Sequence, residues 1–164
     1  MRRRHGNRVA VVLCGWATIV ALASSGCGQE ICDSGSLVLV SSEVQVSCED
    51  FANHVGIARV LMLAGHSDAE EFQAVFAGMA VHVLASDTWP VNGAPAYGQF
   101  VWPYGVYLNP GGRALLHEMF HVLDVSRLRL GTASHDGWTE LGYHAAQAQF
   151  ERSVIGRPLA LGPR

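Results

Sequence analysis

The stretch ALLHEMFHVLD, residues 114–124, carries the strongest structural signal in this chain of 164 residues. It is apolar on nearly all sides and contains neither glycine nor proline, so we predict a helix from Arg113 to Val125. His117 and His121 lie four residues apart, which places both imidazoles on one face of that helix. Two ring nitrogens in this arrangement reach a single zinc ion at about 2.1 Å each. Glu118 lies beside them, where its carboxylate can act on water.

The H-E-x-x-H pattern resembles the motif of the zincin metallopeptidases. The resemblance implies that His117 and His121 bind Zn²⁺ and that Glu118 is the catalytic general base, which transfers a proton from water to the leaving amine. It also implies a small zincin-like domain whose peptide or protein substrate extends along the sheet edge formed by residues 99–108. The alternative interpretation is a core helix with two hydrogen-bonded histidines and no metal.

A catalytic zinc site needs a third protein ligand, and the residues after the helix offer three candidates. His135 is the first choice, because it follows His121 by 14 residues and Gly131 allows the connecting segment to turn back toward the metal. Asp136 is an alternative, and Glu140 is another by analogy with the gluzincins. The predicted metal ligands are therefore His117, His121 and His135.

Asp124 shares the helix face of His117, but seven residues of helix correspond to a rise of about 10.5 Å. This distance is too large for both side chains to bind one ion together with His121. We therefore expect Asp124 to orient a ligand histidine, with a solvated acid as the alternative. Tyr143 is expected to pack its ring in the core, with stabilisation of an oxyanion as the alternative role.

Residues 1–26 are typical of an export signal. Four of the 11 arginines precede an apolar run over residues 9–23, which is short for a bilayer span of about 20 residues. The run ends in small residues before Cys27, and this order resembles a bacterial lipoprotein signal. The resemblance implies lipid on Cys27 and a protein anchored to a membrane of the cell envelope. Ordinary cleavage and secretion is the alternative.

Charge and cysteine usage agree with export. Removal of residues 1–26 leaves seven positive and 14 negative side chains, a net charge of −7, which argues against nucleic acid as a partner. Cys14 lies in the signal and Cys27 would carry lipid, so Cys32 and Cys48 remain as a pair. In an oxidising compartment this pair is expected to form a disulfide, with two buried thiols as the alternative.

The rest of the sequence predicts an α+β domain over residues 37–155, between a short lead (27–36) and a tail (156–164). The predicted strands lie at residues 37–40, 44–48 and 80–85, and residues 99–108 are expected to form a strand pair or an edge strand that is broken near Pro103. The predicted helices lie at residues 49–64, 67–79, 113–125 and 138–152. Residues 87–98 contain two prolines and two glycines and are expected to form a loop. The aromatic side chains expected to fill the core are Trp89, Phe100, Trp102, Tyr104 and Trp138.

Together these patterns predict an exported zinc-dependent peptidase. The alternative function is a zinc-stabilised, non-catalytic envelope lipoprotein that binds another protein.

Overall fold

A mixed sheet of five strands and four helices make up the described part of the chain, which is an α+β domain as predicted. The computed structural model describes residues 32–103, 105–128 and 135–160. The strands are β1 (Cys32–Asp33), β2 (Leu37–Ser42), β3 (Met79–Val83), β4 (Trp89–Val91), β5 (Ala94–Ala96), β6 (Gly98–Val101) and β7 (Gly105–Leu108). The helices are α1 (Cys48–Leu63), α2 (Ala69–Phe76), α3 (Leu115–Leu128) and α4 (Tyr143–Val154).

The sheet has the strand order β1-β2-β3-β7-β6. Strands β2, β3 and β7 run parallel, whereas β1 and β6 pair antiparallel with their neighbours. Strands β4 and β5 form a separate antiparallel hairpin. Strand β6 is therefore an edge strand, and it packs against α3. This arrangement brings the predicted active-site helix to the edge of the sheet.

One face of the sheet packs against the helices. Side chains alternate between the two faces of a strand, so every second residue of the parallel strands is buried. These buried residues are Leu37, Leu39, Val81, Val83, Val106 and Leu108. Helix α3 contributes apolar side chains to the same core on several of its sides, which explains why its sequence is apolar nearly all round.

A disulfide joins β1 to the first turn of α1. Cys32 and Cys48 are bonded across a sequence separation of 16 residues, and a loop of this length contributes about 3 kcal/mol of stability in the chain-entropy model. Helix α1 begins there because the Ser47 hydroxyl accepts a hydrogen bond from the backbone amide of Asp50, 3.3 Å away.

Three predicted elements differ from the structure. Residues 44–48 are not a strand: β2 continues through Ser42, Val46 makes one bridge to Ala160, and Cys48 already belongs to α1. Residues 87–98 contain the β4–β5 hairpin instead of a loop. The last helix begins at Tyr143 rather than at residue 138, because turns precede it and Gly142 adopts a φ of 73°.

Two boundaries also shift. Helix α2 covers Ala69–Phe76 instead of residues 67–79, and Asp68 caps it by accepting a hydrogen bond from the Glu71 amide at 2.8 Å. The packed domain extends beyond residues 37–155, because it includes β1, the buried Leu159, and Ala160, whose amide donates to the Pro110 carbonyl.

No helix among the described residues is both long enough and apolar enough to span a membrane. The predicted export signal and the lipid-bearing Cys27 lie outside the described residues.

Candidate metal centre

Three histidine side chains converge at one end of the sheet. His117 and His121 project from α3, and His135 reaches the same point from the segment that leads to α4. The Nε2 atom of His117 lies 3.1 Å from that of His121 and 3.2 Å from that of His135. The Nε2 atoms of His121 and His135 are also 3.2 Å apart. The predicted third ligand is thus brought to the two helix ligands.

The spacing of the three nitrogens fits a tetrahedral metal ion. Zinc–nitrogen bonds of 2.0–2.1 Å at tetrahedral angles place ligand nitrogens about 3.3 Å from one another, close to the three observed separations. A proton on one Nε2 atom can be donated to only one of the other two nitrogens, so protons alone leave lone pairs facing each other. A single cation would satisfy all three, and we conclude that the donor set fits a zinc ion.

The protonation of the helix histidines suits metal binding. Burial lowers the pKa of His117 to about 4, and the charges that His135 and His144 carry when protonated act in the same direction. Burial lowers the pKa of His121 to about 3, with His117 and His135 contributing further. Both imidazoles are therefore neutral at pH 7, which is the form that coordinates metal ions.

The other two candidates for the third ligand do not join this cluster. Among the described residues, the group whose ligand atoms all lie within 4.8 Å of one another consists of His117, His121 and His135. Asp136 and Glu140 are exposed and lie outside it.

Glu118 lies next to the cluster, buried between α3 and β6 with a relative exposure of 4%. Burial raises the pKa of its carboxyl group to about 7, although a hydrogen bond from the backbone amide of Phe100 opposes this shift. Strand β6 comes so close that a Cβ atom on Gly98 would lie 2.8 Å from Glu118 Oε1. The edge strand thus lies directly against this carboxyl group.

The indole of Trp138 contacts all three histidines. Its ring centroid lies 4.8 Å from that of His117, 4.7 Å from that of His121 and 4.6 Å from that of His135. Asp124 was expected to orient a ligand histidine. Its carboxylate instead accepts hydrogen bonds from Trp138 Nε1 at 2.9 Å and from Tyr143 Oη at 3.2 Å.

Tyr143 is in the core, as expected, with its ring stacked on Phe120 at 3.9 Å between centroids. Burial raises the pKa of its hydroxyl to about 12, and the negative charge of Asp124 acts in the same direction. The hydroxyl therefore stays protonated and donates to Asp124.

A cleft of about 900 Å³ opens beside the three histidines and Glu118. Its lining includes Val75 and Val122 from helices α2 and α3, and Phe100, Trp102 and the hairpin residue Asn92. The expectation that Trp102 would fill the core is wrong, since it lines the cleft and is 71% exposed. Phe100 is partly buried and packs against the core as expected, and it also lines the cleft. Tyr104 lies outside the described residues. Trp138 is buried as expected.

Sequence analysis missed three contributors to the site. Gly98 and the Phe100 amide act on Glu118 through the edge strand, and Trp138 packs against the histidines. The closeness of Trp138 to His135 in the sequence was the one available signal, because neighbours three residues apart often share a site.

Comparisons with protein-family models, with curated proteins and with solved structures find no match to this chain. Fold and geometry define the class: an α+β domain with three histidines that could hold a metal ion at the edge of a cleft. The assignment of an activity therefore depends on the side chains at this site.

Proposed function

We propose that this chain is a zinc-dependent peptidase in which Glu118 is the general base. The observation that carries the proposal is the convergence of three histidine Nε2 atoms, 3.1–3.2 Å apart, beside a buried carboxyl group in an open cleft. His117, His121 and His135 would hold the ion.

A zinc ion bound by imidazole nitrogens polarises a carbonyl group and lowers the pKa of water. Glu118 takes the proton that the attacking water loses and returns it to the leaving amine. A general base works best when its pKa lies near the working pH. The environment that raises the pKa of Glu118 to about 7 therefore supports this role.

Strand β6 supports a peptide as the substrate. It pairs with β7 on one side only within the described sheet, and its residues Gly98, Gln99 and Phe100 line the cleft. An extended peptide can add to such an edge through backbone hydrogen bonds, which would lay it across the histidines and Glu118. This recognition depends on the backbone and so admits many sequences.

The alternative, a zinc-stabilised binding protein without turnover, predicts a closed site. Structural zinc ions are held by four protein ligands, whereas catalytic ones keep a position open. Three converging ligands among the described residues, next to a cleft, favour the catalytic alternative. We further propose that the chain is exported as a lipoprotein anchored through Cys27.

The test compares zinc content and hydrolysis of a fluorescein-labelled unfolded protein in four chains: wild type, Glu118→Gln, His117→Ala and His121→Ala. Glu118→Gln is expected to keep its zinc and to lose at least about 100-fold in hydrolysis, because it removes the base and not a ligand. Both histidine variants are expected to lose zinc and hydrolysis together. Wild-type rates in Glu118→Gln would contradict the base, and a zinc-loaded wild type without hydrolysis would favour the binding protein.

A further inference from the structure

We infer that Trp138 is the positioning residue of the third metal ligand, His135, and that it braces this ligand against α3 through Asp124. The inference rests on the proposed metal site and adds to it a residue that binds no metal itself.

His135 needs such support more than the other two ligands do. His117 and His121 belong to α3, where backbone hydrogen bonds and a common helix face fix both side chains. His135 lies outside the helices and strands, and it is exposed. The position of its imidazole therefore depends on contacts with residues near it.

Trp138 provides these contacts in two ways. Its backbone amide donates a hydrogen bond to the carbonyl oxygen of His135 at 3.3 Å. Its indole packs edge-on against the His135 ring, with 4.6 Å between centroids and an interplanar angle of 77°. Since Trp138 is only 1% exposed, its ring is held by the core and can hold His135 in turn.

Asp124 connects this tryptophan to the helix that carries the other ligands. Its Oδ2 atom accepts a hydrogen bond from Trp138 Nε1, and its Oδ1 atom accepts one from Tyr143 Oη. Asp124 lies in α3, three residues after His121. The brace therefore fixes the third ligand relative to the first two.

The histidines also lack a more usual support. A metal-binding histidine normally donates its second ring nitrogen to a carboxylate or a carbonyl group. Among the described residues, His121 Nδ1 is buried and has no hydrogen-bond partner. The ring centroid of Trp138 lies 4.7 Å from that of His121, so this imidazole is held by packing although its Nδ1 atom makes no hydrogen bond.

The experiment measures zinc affinity by competition with a chromophoric chelator. Trp138→Phe keeps an aromatic ring but loses the hydrogen bond to Asp124, and the expected loss of affinity is about 10–100-fold, as for other residues that orient ligands. Asp124→Asn should also lower the zinc affinity, because asparagine has one side-chain oxygen to accept from the two donors, Trp138 and Tyr143. The double variant should lose less than the product of the two single losses, because both act on one brace. Trp89→Phe is the matched control and should stay within twofold of wild type, because Trp89 lies in β4 and is not among the residues that line the cleft.

A second experiment introduces Trp138→Phe into a chain that already carries His135→Ala. It separates a positioning role of Trp138 from a general contribution to stability. Trp138→Phe is expected to lower the zinc affinity of the weaker site that His117 and His121 form much less than that of the complete site, because the ligand that it positions is gone. An equal loss in both backgrounds would mean a merely structural role and would overturn the inference. Wild-type affinity in both Trp138→Phe and Asp124→Asn would also overturn it, while leaving the metal site intact. A wild-type chain that binds no zinc would overturn the metal site and the brace together.

Discussion

Gly98 and Glu118 meet where the edge strand β6 passes helix α3. A Cβ atom at position 98 would lie 2.6 Å from Ala114 Cβ and 2.8 Å from Glu118 Oε1, both closer than real contacts allow. Glycine is needed here for the close approach of the two elements. The room that it leaves determines where the carboxylate of Glu118 lies.

We predict that Gly98→Ala lowers hydrolysis by about 100-fold while zinc affinity stays within twofold of wild type. The added methyl group displaces the base, and a displacement of about 1 Å in a catalytic group costs a rate factor of this size. The three atoms nearest to the added methyl group belong to Ala114 and Glu118 and not to a ligand histidine, so the ligands should keep their geometry. Steady-state rates of hydrolysis check the loss of activity, and competition with a chelator checks the zinc affinity.

Gly56→Ala is the matched control, because a Cβ atom there would meet nothing within 4 Å. Gly56 lies in α1, where alanine should raise the free energy of unfolding by about 0.5–1 kcal/mol without any effect on hydrolysis. Wild-type hydrolysis in Gly98→Ala would show that the strand does not set the position of Glu118.

The sequence was informative about the site where one helix turn decides the geometry. His117 and His121 share a face because of the helix period alone, and Glu118 follows from its place between them. The contribution of Trp138 could not be predicted, because a buried tryptophan has the same sequence pattern whether it packs on aliphatic side chains or on imidazoles. Its neighbours are set by tertiary contacts that sequence spacing does not reveal.

At the scale of elements, one ion pair joins two helices that border the cleft. Arg127 in α3 donates hydrogen bonds to both carboxylate oxygens of Glu71 in α2, at 2.7 and 2.6 Å. The same guanidinium group donates to the carbonyl oxygen of His66, beyond the end of α1. The hydrogen bond from Arg127 holds the pKa of Glu71 below its usual value. This pair therefore links three helical segments.

We predict that Glu71→Gln lowers the free energy of unfolding by up to about 1 kcal/mol at pH 7, the range for an ion pair that is partly exposed. A carboxyl group whose pKa is lowered in the folded state stabilises the fold above its unfolded pKa and loses this effect as the pH falls through the folded value. The free energies of unfolding of wild type and Glu71→Gln should therefore differ at pH 7, and the difference should disappear as the pH falls below about 4.

Urea unfolding of the two chains at several pH values measures this difference, with Glu70→Gln as the control. Glu70 is an exposed neighbour in the same helix turn. A difference between wild type and Glu71→Gln that stays constant down to pH 3 would exclude the ion pair as its cause.

Some elements were misassigned because local patterns competed. Asn92 and Gly93 adopt φ values of 51° and 82°, as a two-residue hairpin turn requires. This Asn-Gly pair was a hairpin signal, but the prolines at positions 90 and 95 favoured a loop.

Residues 44–48 alternate like a strand, yet Ser47 caps a helix, and the cap decides the local structure. Residues 138–142 have a helical pattern but form turns that bring Trp138 to Asp124.

At the scale of the whole molecule, the site combines segments that are far apart in the sequence. Helix α3 supplies two ligands and the base, residue 135 supplies the third ligand, and β6 and the hairpin supply a wall of the cleft. The α+β class followed from the order of predicted elements, whereas the place of β6 at the sheet edge depends on how the strands pair. Local sequence patterns can therefore give the fold class but not the position of β6 in the sheet.

We predict that Cys27→Ser releases the protein from membranes and abolishes its labelling with a lipid precursor, because the thiol is the group that would carry the lipid. Membrane fractionation and metabolic labelling of cells that express the full chain check this result. Cys14→Ser is the control and should leave both unchanged, since Cys14 lies within the predicted signal. Labelling that persists in Cys27→Ser would contradict the lipoprotein assignment.

The proposed activity depends most on one property of the chain, the binding of zinc by three histidines. The most direct measurement is the zinc content of the purified chain after dialysis, for wild type, His135→Ala, Asp136→Ala and Glu140→Ala. We predict one zinc ion per chain in wild type and in both acid variants, and loss of zinc in His135→Ala, because His135 is the residue that completes the triangle of nitrogens in the described part of the chain. A wild-type chain without zinc, or zinc retained in His135→Ala and lost in either acid variant, would contradict the account.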